Sequence, residues 1–210
     1  HVLDGVHPRV RFTNTLRQLT HHGPDAAPEA DEPRIRAIVR ELGSPRIDAG
    51  LTLLRATRSV HFLGGGYLNA VWRRNLGMLV AASELRRSFG VPAFATGQGF
   101  LPQSDDSAAW VSALLREFDF VESRDAQGAR RLGVRAGLDD AFLALGSERP
   151  VASAGEAPEV MILIQGDLGG ADEDELFAAV AAFLGRQPAD ARIGLVEALP
   201  PDDARILARL

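Results

Sequence analysis

From residue 35 onward, the apolar positions of this chain alternate between a helical and an extended spacing. Ile35, Ile38, Val39 and Leu42 recur at i, i+3, i+4 and i+7, one face of a helix. "SVHFLG" (59–64) is a short apolar run ending in glycine and predicts a strand. Leu76, Leu79 and Val80 mark a helix up to about Phe89, and "VPAFAT" (91–96) predicts the next strand. The stripe Trp110, Val111, Leu114, Leu115 and Phe118 follows "SDDS" (104–107), a cluster suited to an N-cap. "FDFVES" (118–123) is extended again, and "DAQGARRLG" (125–133) is a helix closed by Gly133. "VRAGLDDAFLAL" (134–145) is a short strand with its turn. Strands separated by helices predict an α/β fold, a Rossmann-like parallel sheet with helices on both faces.

Upstream, "RVRFTNTL" (9–16) alternates as a strand does, and "HHGPDAAPEADEP" (21–33) reads as a surface loop or mobile lid. Downstream, "RPVASAGEAP" (149–158) has a linker's composition. A second alternation follows: strand "EVMILIQ" (159–165), helix "DEDELFAAVAAFLG" (172–185), strand "ARIGLVEAL" (191–199), helix "PDDARILARL" (201–210). Two strands rarely make an independently stable sheet. The organisation expected is therefore an N-terminal domain over 1–148, a linker over 149–158, and the truncated start of a second α/β domain over 159–210.

Composition narrows the partners more than the chemistry. A net charge of −5, with 23 basic residues interspersed among 28 acidic ones, leaves no legible patch for nucleic acid or anionic lipid. With no cysteine, disulfides and thiolate metal sites are excluded, as suits a cytoplasmic protein. No apolar run reaches the roughly 18–20 residues that span a bilayer, and no signal-peptide pattern opens the chain. It starts at His1 rather than Met, which predicts a partial sequence.

In an open parallel sheet, ligands bind outside the carboxyl ends of the strands. Those ends read "GGGYLN" (64–69), "TGQGF" (96–100), "SRD" (123–125) and "LDD" (138–140), joined by "QGDLGG" (165–170) in the second unit. Gly64, Gly65 and Gly66 let a ligand approach the main chain, and a helix starting near Asn69 would favour an anion there. A tight strand-to-helix turn without a ligand is the alternative. Arg124, ending an apolar strand, can fork onto a carboxylate or phosphate. Asp125 beside it could cap the next helix and hold that guanidinium, or the two could form a surface pair. Gln98 could read a hydroxyl or serve its turn. Asp139 and Asp140 suit turn stabilisation, because adjacent strand residues face opposite ways. His61 reads as a satisfied core residue, and His21 and His22 lack partners for a metal site. G-x-G-x-x-G, Walker A and G-x-S-x-G patterns are all missing.

Taken in order, "VHFLGGGYLN", "FATGQGFLP", "FDFVESRDAQGARRLGV" and "LDDAFLAL" resemble the polysaccharide pyruvyl transferase family over about residues 59–145. The resemblance implies a glycosyltransferase-B-like pair of Rossmann-type domains around a cleft. It implies transfer of a pyruvyl group from phosphoenolpyruvate, as donor substrate and without a cofactor, to a saccharide acceptor of a cell-surface or exopolysaccharide precursor. Arg124 would then be catalytic, with Gly64, Gly65, Gly66, Tyr67, Asn69, Gln98, Asp125 and Asp140 binding substrate and no metal involved.

The chain departs from the family pattern in three places. The second-domain "S-x-R-x-H" motif does not occur in these 210 residues, Gln165 stands where Arg often follows the strand, and Asp140–Ala141 replaces Asp-Pro. The segment is therefore expected to be catalytically incomplete. Two rivals stay open: a nucleotide-sugar glycosyltransferase of the same architecture, and a non-catalytic α/β module that binds a sugar or a partner.

Overall fold

The structure, a computed structural model, describes residues 16, 27–41, 51–146, 158–164 and 172–197. The chain divides into two compact units, His1–Glu148 and Arg149–Leu210. In the first, the described elements are α1 (Pro28–Arg40), β1 (Val60–Phe62), α2 (Gly77–Phe89), β2 (Ala93–Gln98), α3 (Asp105–Leu115), β3 (Phe120–Ser123), α4 (Ala126–Leu132) and β4 (Arg135–Ala136). The strands pair in parallel in the order β1-β2-β3-β4. Ser104 and Asp125 cap α3 and α4, and Gly133 closes α4 in the left-handed conformation, as their sequences predict.

That sequential order decides which faces are covered. Right-handed crossovers between neighbouring parallel strands carry every connecting helix to the same side. Val60, Phe62, Ala93 and Ala95 are accordingly buried in the core. On the opposite face His61, Phe94 and Phe120 face one another across the ladder, and they are exposed or half-buried. Helices on both faces are thus not found among the described residues: one face carries the described helices and the other presents exposed and half-buried side chains. A doubly wound sheet needs a reversal of strand order, and these four strands contain none.

Helix α2 is buried without a break from Leu79 to Leu85, as befits a helix enclosed by the sheet and other helices. Enclosure places Glu84 inside, 1% exposed. Arg36 of α1 supplies the counter-charge. Its Nη1 donates to Glu84 Oε2 and to Ser83 Oγ at 3.0 Å each, and its Nε donates to Glu32 at 2.7 Å. Trp110 Nε1 donates to the same Glu32 at 2.7 Å. Burial works against a charge on Glu32, but the hydrogen bonds from Trp110 and Arg36 prevail and hold its carboxyl below the ordinary value.

These contacts explain a correction. The loop or lid expected over 21–33 gives way to helix from Pro28 onward. Pro28 occupies the first turn, where a missing N–H costs nothing, and Glu29 and Asp31 suit the positive end of the dipole. Pro33 lies inside the helix, a cost of about 3 kcal/mol, offset by burial of Ile35 and Val39 and by the Arg36 network. Leu16, the end of the stretch read as a strand, is instead helical and packs against the core. Residues 9–15, with His21 and His22, lie outside the described residues.

In the second unit, β5 (Val160–Ile164), α5 (Glu173–Leu184) and β6 (Ile193–Glu197) form one parallel βαβ in full register from Val160↔Ile193 to Ile164↔Glu197. The linker over 149–157, the "QGDLGG" turn with Gln165, and the helix over 201–210 lie outside the described residues. No helix among the described residues is long and apolar enough to cross a membrane.

Two outcomes follow from these contacts. Arg36→Met leaves the enclosed Glu84 with only the exposed Arg40, 3.9 Å away, as a cation, so urea unfolding should register a loss of about 3 kcal/mol; a loss below about 1 kcal/mol is what an exposed pair would give. Asp119 accepts from Arg86 Nη2 at 2.7 Å and Nε at 2.9 Å, and from the Ala93 N–H at 2.9 Å, which hold its carboxyl down to about 2. The stability it lends is complete above the usual aspartate range and drains away as pH falls toward 2. Carbon-detected NMR titration should find that midpoint near 2, rising toward 3.8 in Arg86→Gln.

Candidate functional site

Beyond the strands, the ladder continues into the turns. Gly65 bridges Gln98, its N–H donating to Gly97 O at 3.3 Å and its carbonyl accepting from Gly99 N–H at 2.7 Å. Arg124 N–H donates to Gln98 O at 2.9 Å and Gly137 N–H to Ser123 O at 2.8 Å. "TGQ" therefore belongs to β2, which runs to Gln98 rather than ending at Thr96, with an irregular register between Ala95 and Gln98.

Across these turns lies Asp139–Asp140, at the entry to a 3₁₀ turn, Asp140–Gly146. Asp140 Oδ2 accepts from Gly64 N–H and from Thr96 Oγ1–H, each at 2.7 Å. Asp139 Oδ2 accepts from Arg124 Nη1 at 2.6 Å, and its Oδ1 from Ala141 N–H at 3.0 Å. The Ala141 N–H and then Arg124 hold the Asp139 carboxyl below its ordinary value.

The glycines make room for this docking. A Cβ on Gly97 would stand 2.6 Å from Asp140 N, and Gly97 has a φ of +59°. One on Gly64 would come within 3.1 Å of Asp140 Cβ. A Cβ on Gly99 would meet the Arg124 guanidinium at 2.9 Å, and one on Gly66 would lie 3.4 Å from Arg124 Nη2. Arg124 is thus laid flat over bare backbone from two turns, and the glycine triplet and the guanidinium share one rim.

The predicted site residues divide sharply. Arg124, Gly64, Gly66 and Asp140 come together, and the half-buried Tyr67 stands over Gly65, donating its hydroxyl to Leu63 O at 3.0 Å. Burial pushes the Tyr67 phenol up, the negative charge of Asp140 adds to this, and a hydrogen bond with Gln98 opposes it. Asp125 caps α4 and accepts from Ser123 Oγ; Asp139, not Asp125, holds Arg124. Asn69 is buried, its Nδ2 donating to Gly66 O and Leu101 O and its Oδ1 accepting from Val71 and Trp72 N–H. Gln98 is fully buried and donates to the carbonyls of Phe62, Leu63 and Thr96. Both amides brace the rim from inside instead of lining it.

The anion site expected on the triplet is also corrected. No helix starts near Asn69: α2 begins at Gly77, behind a 3₁₀ turn, Arg73–Leu76. Asp140 has taken the Gly64 N–H and Gly97 O the Gly65 N–H, which leaves Gly66 as the triplet amide with no partner among the described residues. An incoming anion would meet Gly66 N–H together with Arg124 Nε and Nη2, whose hydrogens no described group accepts.

Thr96, Asp139 and His61 were missed as site residues. His61 is exposed, not a core residue, with Nε2 2.8 Å from Thr96 Oγ1 and its ring edge-on to Phe94. Its signal was the alternation Val60-His61-Phe62, which sends the imidazole to the face opposite the core. Compared with known proteins, the chain matches no family model, no curated sequence and no solved structure.

Gly97→Ala should be more costly than Gly90→Ala. Both take a left-handed φ, worth roughly 1–2 kcal/mol, but a Cβ at Gly90 meets nothing within 4 Å while one at Gly97 strikes Asp140. Equal losses in urea unfolding would mean that the Asp139–Asp140 turn does not dock on β2.

Proposed function

We propose that the chain carries the donor-binding part of a ketal pyruvyl transferase, acting with phosphoenolpyruvate on a saccharide diol. The single observation behind this reading is the seat of Arg124: a guanidinium spread over Gly66 and Gly99, with N–H groups, beside the Gly66 N–H, that meet no acceptor among the described residues. That arrangement suits a small ligand with several negative oxygens, since a guanidinium binds carboxylate or phosphate through paired charge-assisted hydrogen bonds. The four turn sequences that resemble the pyruvyl transferase family are the same four that build this rim.

The chemistry asks for little more than charge and protons. The C3 methylene of phosphoenolpyruvate gains a proton, and C2 becomes the electrophile. Two hydroxyls of one sugar form C–O bonds to C2, the bond from C2 to the phosphate oxygen breaks, and hydrogen phosphate departs. Of the two hydroxyl protons released, one balances that gained at C3 and the other leaves on phosphate. Arg124 and Gly66 N–H would hold the donor's anionic end and stabilise the charge that moves onto the departing phosphate. The half-buried Tyr67 borders the same rim.

Donor binding tests this directly. Phosphoenolpyruvate should raise the melting temperature of the protein in a concentration-dependent way while UDP-sugars do not. Arg124→Ala should weaken phosphoenolpyruvate binding by about 30-fold or more, the equivalent of ~2 kcal/mol for losing a charged partner, with the circular dichroism spectrum unchanged. Arg124→Lys should recover little of it, because an ammonium has no planar fork. Stabilisation by UDP-sugars alone would favour a nucleotide-sugar glycosyltransferase, and indifference to both ligands would leave a non-catalytic module.

A further inference from the structure

We infer that His61 is the proton-transfer group of this site, held by Thr96 and Asp140 with Nδ1 as its working nitrogen; the inference rests on the donor reading above. The hydrogen-bond polarity carries it. Asp140 Oδ2 accepts from Gly64 N–H and from the Thr96 hydroxyl, 2.7 Å each. A threonine has one hydroxyl proton, and here Asp140 receives it. The contact of 2.8 Å between Thr96 Oγ1 and His61 Nε2 therefore needs the hydrogen on Nε2. Nε2 is fixed as the donor, and Nδ1 is left as the nitrogen that gains and loses a proton. The same polarity makes Thr96 a positioning residue and not a nucleophile, since its only proton faces a carboxylate.

Place and surroundings agree with this role. His61 lies on the open face of the sheet, three residues before Gly64, and its ring is exposed. Two hydrogen bonds separate its Nε2 from the carboxylate that occupies the Gly64 N–H. Asp140 reaches His61 through Thr96, and Asp139, Arg124 and Tyr67 stand along the rim. Glu122 of β3 and Arg135 of β4 pair farther out on the same face, Arg135 lying over Phe120. Phe94 packs edge-on against the ring at 6.0 Å. In the reaction, an imidazolium would pass its Nδ1 proton to the C3 methylene; the carbon–carbon π pair forms the new C–H bond, and the ring is left neutral. An acid in this role is protonated in the donor complex that reacts.

Two measurements decide it, both on the chain as it stands. Side-chain nitrogen-15 NMR of the neutral ring should show hydrogen on Nε2 of His61, and Thr96→Val should turn this into a mixture of tautomers; hydrogen on Nδ1 in the native protein overturns the inference. Calorimetry of phosphoenolpyruvate binding at pH 7.5, in two buffers of different ionisation enthalpy, counts protons taken up. The native protein should take up protons on binding and His61→Gln close to none, with affinity lowered by the loss of that linkage. Binding without uptake, or uptake that persists in His61→Gln, overturns the role of His61 and leaves the donor reading intact. Absence of phosphoenolpyruvate binding to the native protein overturns the donor reading, and this inference with it.

Discussion

Two consecutive carboxylates hold the edge of this sheet together. Asp139 and Asp140 arrive after β4, the last strand, yet they bind the turn after β1, a hydroxyl of β2 and the guanidinium that follows β3. Hydrogen bonds to a charged group are stronger than those between neutral groups, so one turn ties together the ends of three strands. Without it, Gly64 N–H, the Thr96 hydroxyl and Arg124 Nη1 would lose these partners together. The glycines are subordinate to that docking: they remove the Cβ atoms that would keep the turn away.

The same pairing sets the character of the rim. Arg124 is 40% exposed along its side chain and, among the described residues, bound at one nitrogen. Asp139 fixes the plane of the guanidinium while its other donors meet no acceptor among the described residues, which would lower the ordering cost of binding an anion. On the proposed reading Asp139 would also make that site selective, since a weak anion has to share the cation with a carboxylate already in place. Specificity of this kind favours ligands with several negative oxygens over single-charge ions.

Much of the fold was legible because local signals and burial agree. The stripe from Trp110 to Phe118, the Ser104 and Asp125 caps and the Gly133 stop all mark elements that the structure contains. The start of α1 was hidden because Pro28 and Pro33 look like loop residues, and only tertiary contacts of Ile35, Arg36 and Val39 outweigh them. Covered faces could not be read from alternation, because the order of strands in a sheet is a long-range property. At the site, Arg124 and the glycines could be found from their place at strand ends. Gln98 and Asn69 stood out for the same reason, but their amides are turned inward to main-chain carbonyls. His61 was passed over because a histidine between Val60 and Phe62 looks like core, although the period of a strand sends it to the other face.

Hydrogen exchange at the glycine triplet tests the account most directly, because it reads the docking of the Asp139–Asp140 turn without any ligand. Gly64 and Gly65 amides should exchange slowly, the former released in Asp140→Ala, while Gly66 should exchange fast. Fast exchange at all three glycines in the native protein would contradict the account, since no carboxylate would then be seated on the edge.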